Sequence, residues 1–311
     1  MIKKDSNKET KKQNAFVHLH VHSEYSILDS TTKIRSLLGK VKFFGMSSVA
    51  ITDSGNMFGV AKFFGEAKKY RIKPIIGCEV SVAPRSRYYK SRFYKGHPIK
   101  CHKLILLVQN QEGYRNLIKL VTKSYWEGYY YKPRIDKELL VNHSKGLIVL
   151  SGAGKGEITQ LLLKEKEQEA KKAALFYKEL SGKSNFYIEL HDHGIKKQRN
   201  INRKLIKLAN NLFIPLVATN NCHYLDQEDV RAYEILKCVE KEKKLKDTKR
   251  LKIYNKQAYL KSQSEMKNLF KDVPDAIKNT VKIADRCNFN MRFAPPKSCM
   301  TKTQLRLFNK Y

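Results

Sequence analysis

The chain has 311 residues, 41% of them hydrophobic, and carries 62 Lys and Arg against 29 Asp and Glu, a formal net charge of +33. This length and apolar content suit one large α/β domain or two ordinary ones, and the charge excess directs the protein towards polyanions, nucleic acid first among them. No apolar run reaches the length of a membrane span and the lysine-rich N-terminus lacks the apolar centre of a secretory signal, so no membrane span is predicted and a cytoplasmic location is expected.

In chain order, a basic tail over 1–14 gives way to short apolar runs at 16–21, 48–52, 74–82, 104–108, 146–150, 186–190 and 216–219, seven predicted strands. Between them lie helical patterns at 33–44, 60–70, 114–126, 157–180 with a break near Lys164, and 198–211. Such alternation predicts a parallel sheet that closes into a barrel. An open doubly wound sheet is the structural alternative, but neither a Gly-x-Gly-x-x-Gly turn nor a Gly-x-x-x-x-Gly-Lys-Ser/Thr loop follows any strand. After Thr219 the pattern turns to charged helices, clearest at 226–239 and 274–287. The last stretch, 290–311, contains Pro295-Pro296 and no core pattern.

The six cysteines, Cys78, Cys101, Cys222, Cys238, Cys287 and Cys299, form no Cys-x-x-Cys pair, which argues against a zinc ribbon or a disulfide framework. Three basic stretches are candidates for contact with nucleic acid: 3–12, 85–95 and 237–252. Only the second interleaves its charges with rings (Tyr88, Tyr89, Phe93, Tyr94), the combination on which single strands stack.

Side chains at the C-terminal ends of parallel strands converge on one mouth, where sites are built in such folds. The first run delivers His18 and His20, placed on one side by two-residue alternation, with Asp29 beyond. The second ends in Thr52-Asp53-Ser54 and the third carries Glu79. His102 precedes the fourth and is expected to point inward. The last two end in His191-Asp192-His193 and Asn220-Asn221-Cys222-His223. Imidazoles and carboxylates from separate strands are the donor set for zinc, manganese or iron, and such ions activate water against a phosphoester. Taken singly, each residue has a structural explanation: Asp53 as a helix cap, Asp29 as a turn residue, His191 and His193 as surface positions.

The segments 16–29 (FVHLHVHSEYSILD), 50–56 (AITDSGN), 73–79 (KPIIGCE), 128–136 (GYYYKPRID), 217–224 (VATNNCHY) and 279–288 (NTVKIADRCN) resemble the N-terminal PHP domain of bacterial DNA polymerase III alpha subunits. The resemblance covers roughly 15–289, and the element from Lys132 to Asp136 belongs to the polymerases and not to PHP phosphatases generally. It implies a distorted seven-stranded (β/α) barrel with a helical C-terminal extension, and 290–311 as the truncated start of a following palm region. Matched by position, His18, His20, Asp29, Glu79, His102 and His223 correspond to metal ligands of the family. Ser54, Ala153 and Asn221 stand where the family has histidine, cysteine and aspartate.

The resemblance further implies a part of a DNA-directed DNA polymerase, with zinc or manganese in the PHP site and magnesium only in the absent palm. DNA, a proofreading subunit and a sliding clamp are the implied partners, with no membrane. Because the departures remove an imidazole, a thiolate and a carboxylate, the expectation is a degraded site holding one ion on His18, His20 and Glu79 with His223. A stand-alone PHP phosphoesterase and a non-catalytic nucleic-acid-binding module are the alternatives.

Overall fold

A computed structural model of the chain describes residues 16–94, 97–182, 184–244, 247 and 256–291. The tail 1–14, most of the basic run 237–252 beyond Lys244, and nearly all of 290–311 lie outside the described residues.

After the extended segment Phe16–Val21 come α1 (Ile34–Phe43), β1 (Ser48–Ile51), α2 (Val60–Tyr70), β2 (Lys73–Val82), the small strands β3 (Phe93–Tyr94) and β4 (His97–Pro98), and β5 (His102–Val108). Then follow α3 (Gln111–Trp126), α4 (Lys137–His143), β6 (Leu147–Leu150), α5 (Glu157–Leu163), α6 (Glu167–Ser181) and β7 (Phe186–Leu190). The chain continues through α7 (Lys196–Asn211), β8 (Leu216–Ala218), α8 (Val230–Glu240), α9 (Gln263–Leu269) and α10 (Pro274–Arg286).

Six strands form one sheet in the order β1-β2-β5-β6-β7-β8. Alternate residues of every strand divide between two cores. Ala50, Ile75, Ile105, Leu107, Ile148, Leu150, Tyr187 and Val217 gather in one cluster inside the curl of the sheet, while Val49, Ile76, Leu106, Val149 and Ile188 face the surrounding helices. Both faces are therefore apolar, which is why the strands read as unbroken hydrophobic runs.

Two expectations change. The sheet is not all parallel, because β5 runs antiparallel to β2 and to β6. Parallel neighbours need a crossover, usually a helix, and the described part of the β2–β5 connection holds only the β3–β4 hairpin. The sheet also has six strands and not seven. The first segment makes an isolated bridge at Val21 to Cys222 instead of a regular ladder. It nevertheless lies between both edges of the sheet: Ala50 N–H donates to the His18 carbonyl (2.9 Å) and Thr52 N–H to that of Val21 (2.8 Å), while Cys222 N–H donates to the His20 carbonyl (3.0 Å).

Helix α10 closes the end of the curl opposite the strand C-termini. Its Ile283 and Ala284 join the interior cluster, Thr280 Oγ1 accepts from Val17 N–H (3.1 Å), and the Asn279 amide donates to the Leu216 carbonyl (2.8 Å) at the start of β8. Among the described residues, α10 thus covers this end of the interior cluster.

In α3, Gly113 sits in the first turn, its N–H capped by the Asn110 side chain (3.0 Å). A Cβ there would lie 1.8 Å from the Gly146 carbonyl oxygen. Glycine to alanine inside a helix ordinarily gains up to about 1 kcal/mol. Here Gly113→Ala is expected to lose about 1–3 kcal/mol through overpacking against backbone. A urea midpoint equal to or above that of the parent would contradict this.

Candidate metal centre at the strand ends

Three clusters of donor atoms, each within 4.8 Å of one another, occupy the open end of the curl: His20, Glu189 and His191; His20, His22 and Glu79; and His22, Asp29 and His223. Because His20 and His22 are each shared, the clusters form one continuous chain of ligands. Glu189 comes from β7 and Glu79 from β2, both at inward-facing positions. A carboxylate in an otherwise apolar strand is the local signal that a strand delivers chemistry, and the sequence Phe-Tyr-Ile-Glu-Leu at 186–190 carries it.

The inner cluster is buried. His20 Nδ1 lies 2.8 Å from Glu189 Oε1, His191 Nε2 lies 3.2 Å from the same oxygen, and the Thr219 hydroxyl donates to it at 2.5 Å. His20 Nε2 and Glu189 Oε2 are buried without a hydrogen-bond partner. Burial opposes protonation of His20, but the charges of Glu189 and Glu79 outweigh it and lift its pKa to about 9. Unpaired buried polar atoms are costly; Glu189 Oε2 in this cluster is one that a bound cation would satisfy, whereas His20 Nε2 faces Glu79 Oε2 at 3.6 Å.

The middle and outer clusters already contain cations. Lys103 Nζ lies 2.6 Å from Glu79 Oε1 and Lys237 Nζ 2.7 Å from Asp29 Oδ1. Burial disfavours the charged form of Glu79, yet Lys103 and His20 hold its pKa well below the usual carboxylate range. The Ser54 hydroxyl stands 3.3–3.4 Å from His22 Nδ1, Asp29 Oδ2 and Glu79 Oε1. His22 is engaged on both ring nitrogens, with Ser26 Oγ at 3.0 Å on one side and Asn221 Oδ1 at 3.0 Å on the other. His223 stacks on His22 with ring centroids 4.4 Å apart, its Nδ1 2.6 Å from the Asp29 carbonyl oxygen.

Of the six residues singled out from sequence, the structure gathers His20, Asp29, Glu79 and His223 at this mouth and sets two apart. His18 packs against Phe16 and lies 2.8 Å from the Lys261 carbonyl. Strict alternation fails because this segment lacks a regular ladder, so the paired imidazoles at the mouth are His20 and His22. His102 opens β5 opposite Val82, but the expected inward orientation does not hold. Positions 103, 105 and 107 are the inward ones, and His102 faces the helix side near Glu157 and Lys137. The inward side chain is Lys103. His193 bonds to the Asn220 carbonyl (3.0 Å) and stays outside the clusters. Asp53 is structural, accepting from Ser23 N–H (2.7 Å) and from the Ser23 and Ser26 hydroxyls (2.7 and 2.6 Å).

The sequence matches the PHP domain model over residues 18–193, more than half of the chain. The protein belongs to the PHP domain family. It is 45% identical over 285 residues to DNA polymerase III subunit alpha of Borreliella burgdorferi, covering 91% of this chain and 25% of that protein. Over 291 residues it is 42% identical to DNA polymerase III subunit alpha of Helicobacter pylori, covering 89% and 23%. The chain thus spans about a quarter of the length of these relatives. Among solved structures it is similar to an amidohydrolase from Chromobacterium violaceum with bound sulfate and no metal, at 14% identity and a TM-score of 0.44, covering 67% of this chain and 88% of that one.

Among the described residues no cysteine joins a ligand cluster, and Cys78, Cys101, Cys222, Cys238 and Cys287 are free thiols. No described helix is long and apolar enough to cross a membrane.

Proposed function

We propose that this PHP chain is the N-terminal portion of a bacterial DNA-directed DNA polymerase, acting in DNA replication with a partly degraded metal site and a mainly structural role. The observation that carries this reading is the reach of the similarity: the match to polymerase alpha subunits runs over 285 residues, well beyond the 18–193 of the PHP model. It takes in the Gly128–Asp136 element, which clasps the 83–92 loop through Arg87 and Arg134. The first segment, bonded to both sheet edges, then acts as the seventh stave of a distorted barrel. The nucleotidyl transfer of the whole enzyme requires paired carboxylates holding magnesium, and these belong to a palm outside 15–289.

At the mouth, His20, Glu189 and His191 are the residues that would hold one zinc or manganese ion, in place of the set His18, His20, Glu79 and His223. When bound, such an ion supplies Lewis acidity to a phosphoester and acidifies a water. The chain's own residues hold the proton and the charge: His20 stays protonated against Glu189 without the ion, and Ser54 and Asn221 keep His22 committed to hydrogen bonds.

DNA is the partner that the charge favours, and one face combines charge with rings. Tyr88, Phe93 and Tyr131 are more than half exposed, and Arg92 lies over the Tyr131 ring at 4.1 Å. A cleft of about 590 Å³ between them is lined by Arg92, Phe93, Lys100, Tyr131, Lys132 and Arg134. Stacking on such rings with backbone neutralisation is how single strands are held. Contact with a proofreading subunit and a sliding clamp, and a cytoplasmic location, belong to the same reading by similarity.

Elemental analysis of the purified protein tests the site. About one equivalent of tightly held ion is expected, lost in Glu189→Gln and in His191→Ala, with negligible 3′ to 5′ exonuclease activity. In the full-length protein, primer extension is expected to survive both substitutions. Two or more equivalents together with robust exonuclease activity would overturn the degraded-site reading, and absence of primer extension by the full-length protein would overturn the polymerase reading.

A further inference from the structure

The three donor clusters differ in one respect that neither the family match nor the ligand spacing foretells. The middle cluster has a lysine ammonium on its carboxylate, the Lys103–Glu79 pair at 2.6 Å, and the outer cluster has another, the Lys237–Asp29 pair at 2.7 Å. The inner cluster of His20, Glu189 and His191 has no lysine among its described contacts, and its Glu189 Oε2 is buried without a hydrogen-bond partner; the other orphaned atom, His20 Nε2, lies 3.6 Å from Glu79 Oε2 in the middle cluster.

Both lysines are placed by the fold. Lys103 is the first inward residue of β5, and it reaches Glu79 because β5 runs antiparallel to β2, so that Lys103 pairs in register with Ser81 one position of the same face away. Lys237 projects from α8 and is also paired with Glu240 on the same helix. Neither is a solvated surface charge, since their side chains are 16% and 10% exposed. An ammonium in contact with a carboxylate lies close to where a divalent ion on that oxygen would sit, with ligand distances of about 2.0–2.2 Å for zinc. Any ion entering there would meet a like charge a few ångströms away in a poorly solvated place, where repulsion is strong.

We propose that Lys103 and Lys237 are tethered cations that take the charge-neutralising places of divalent ions in the middle and outer clusters, leaving only the inner cluster open to metal. This rests on the single-ion reading above and adds what limits the number to one. A fixed ammonium satisfies a carboxylate irrespective of metal supply, so the mouth remains ordered without two of the ions its ligands resemble a site for. The Ser54 hydroxyl and the Asn221 amide agree with this division, because neither adds negative charge beside Glu79 or Asp29.

The test is zinc stoichiometry of the metal-stripped chain, read by calorimetric titration and by elemental analysis after gel filtration. Wild type is expected to take one equivalent. Lys103→Met and Lys237→Met are each expected to take a second, bound at least tenfold more tightly than any second ion in wild type, whereas Lys103→Arg, which keeps the charge, stays at one. Lys237→Met guards against failure to fold, because Asp29 is 25% exposed and solvent supports its released charge. If Lys103→Met is unfolded without metal, the expected result is recovery of its near-ultraviolet circular dichroism with two zinc equivalents. The proposal is overturned if wild type itself binds two or three ions, if both methionine variants fold and remain at one, or if the arginine variant gains an ion. A wild type that binds none while Lys237→Met binds one would remove the inner-site reading and leave the tethered cations standing. Loss of a single wild-type ion in Glu189→Gln, with no gain in either methionine variant, would do the reverse.

Discussion

Metal-stripped protein is expected to lose several kcal/mol of stability between pH 7 and pH 5. Burial holds the pKa of His18 and His22 down at about 4 and that of His193 and His223 at about 3, against 6.5 in an unfolded chain. A depressed histidine is neutral in the fold and takes up its proton on unfolding as pH falls below 6.5. Its contribution is therefore complete above 6.5 and lost as pH falls towards the folded value. The slope is up to about 1.4 kcal/mol per pH unit for each group. Four such groups lose stability at up to about 5 kcal/mol per unit, a large share of the roughly 5–15 kcal/mol that holds an ordinary domain together. His20 has the opposite sign. Its raised pKa, about 9, contributes fully below 6.5 and is lost as pH rises through 9, so stability should also decline on the alkaline side. Urea midpoints in the presence of a chelator should pass through a maximum near neutrality. A midpoint that is flat from pH 7 to pH 5 would show that these imidazoles are hydrated.

Removal of one carboxylate from the Gly128–Asp136 element is expected to cost about 4 kcal/mol. Asp136, 3% exposed, accepts from the Arg87 backbone N–H (2.8 Å) and from Arg87 Nη1 on both oxygens (2.9 and 3.0 Å), and it caps α4 through Leu139 N–H (2.9 Å). Arg87 is itself 6% exposed and also reaches Glu127 (2.6 Å). Breaking a buried pair by deleting one partner costs about 3–5 kcal/mol because the other charge is stranded, and loss of an N-cap adds about 1 kcal/mol. Asp136→Ala should lower the urea-derived unfolding free energy by that amount and loosen the 83–92 loop to proteolysis. Asp136→Asn keeps the cap and one acceptor and should cost about half as much. A loss below about 1 kcal/mol for the alanine variant would mean that the clasp is solvated and plays no part in holding the aromatic face.

Acid acts through buried imidazoles, His22 and His223 at the mouth and His18 and His193 outside its clusters, whereas Asp136→Ala acts through the 83–92 loop that Arg87 ties to Asp136. Independent effects of the two perturbations on metal uptake and on oligonucleotide binding are the expected outcome.

Local pattern was enough for most of the scaffold. Unbroken apolar runs marked six of the seven expected strands within a residue or two, because a strand buried on both faces needs no long-range information to be read. Amphipathic spacing likewise marked α1, α2, α3, α7 and α10. Shorter pieces escaped: α4 and α9 have seven residues each and rely on the Asp136 and Ser262 caps instead of a long apolar stripe. Glu79 in an apolar strand and His20 in a dense histidine run were legible, whereas His22 and Glu189, which carry the same signals, were not singled out from the sequence.

Local sequence pattern sufficed for the family, the alternation of strands with helices and part of the set of imidazoles and carboxylates at strand ends. Which of those side chains meet was decided only by tertiary structure. The reversal of β5 sends Lys103 inward and His102 outward, and the irregular first segment pairs His20 with His22 instead of His18. The curl brings Glu189 within reach of His20 across 169 residues of chain. Strand direction and register depend on hydrogen bonds between distant segments, and a shift of one residue exchanges the faces of every side chain on a strand.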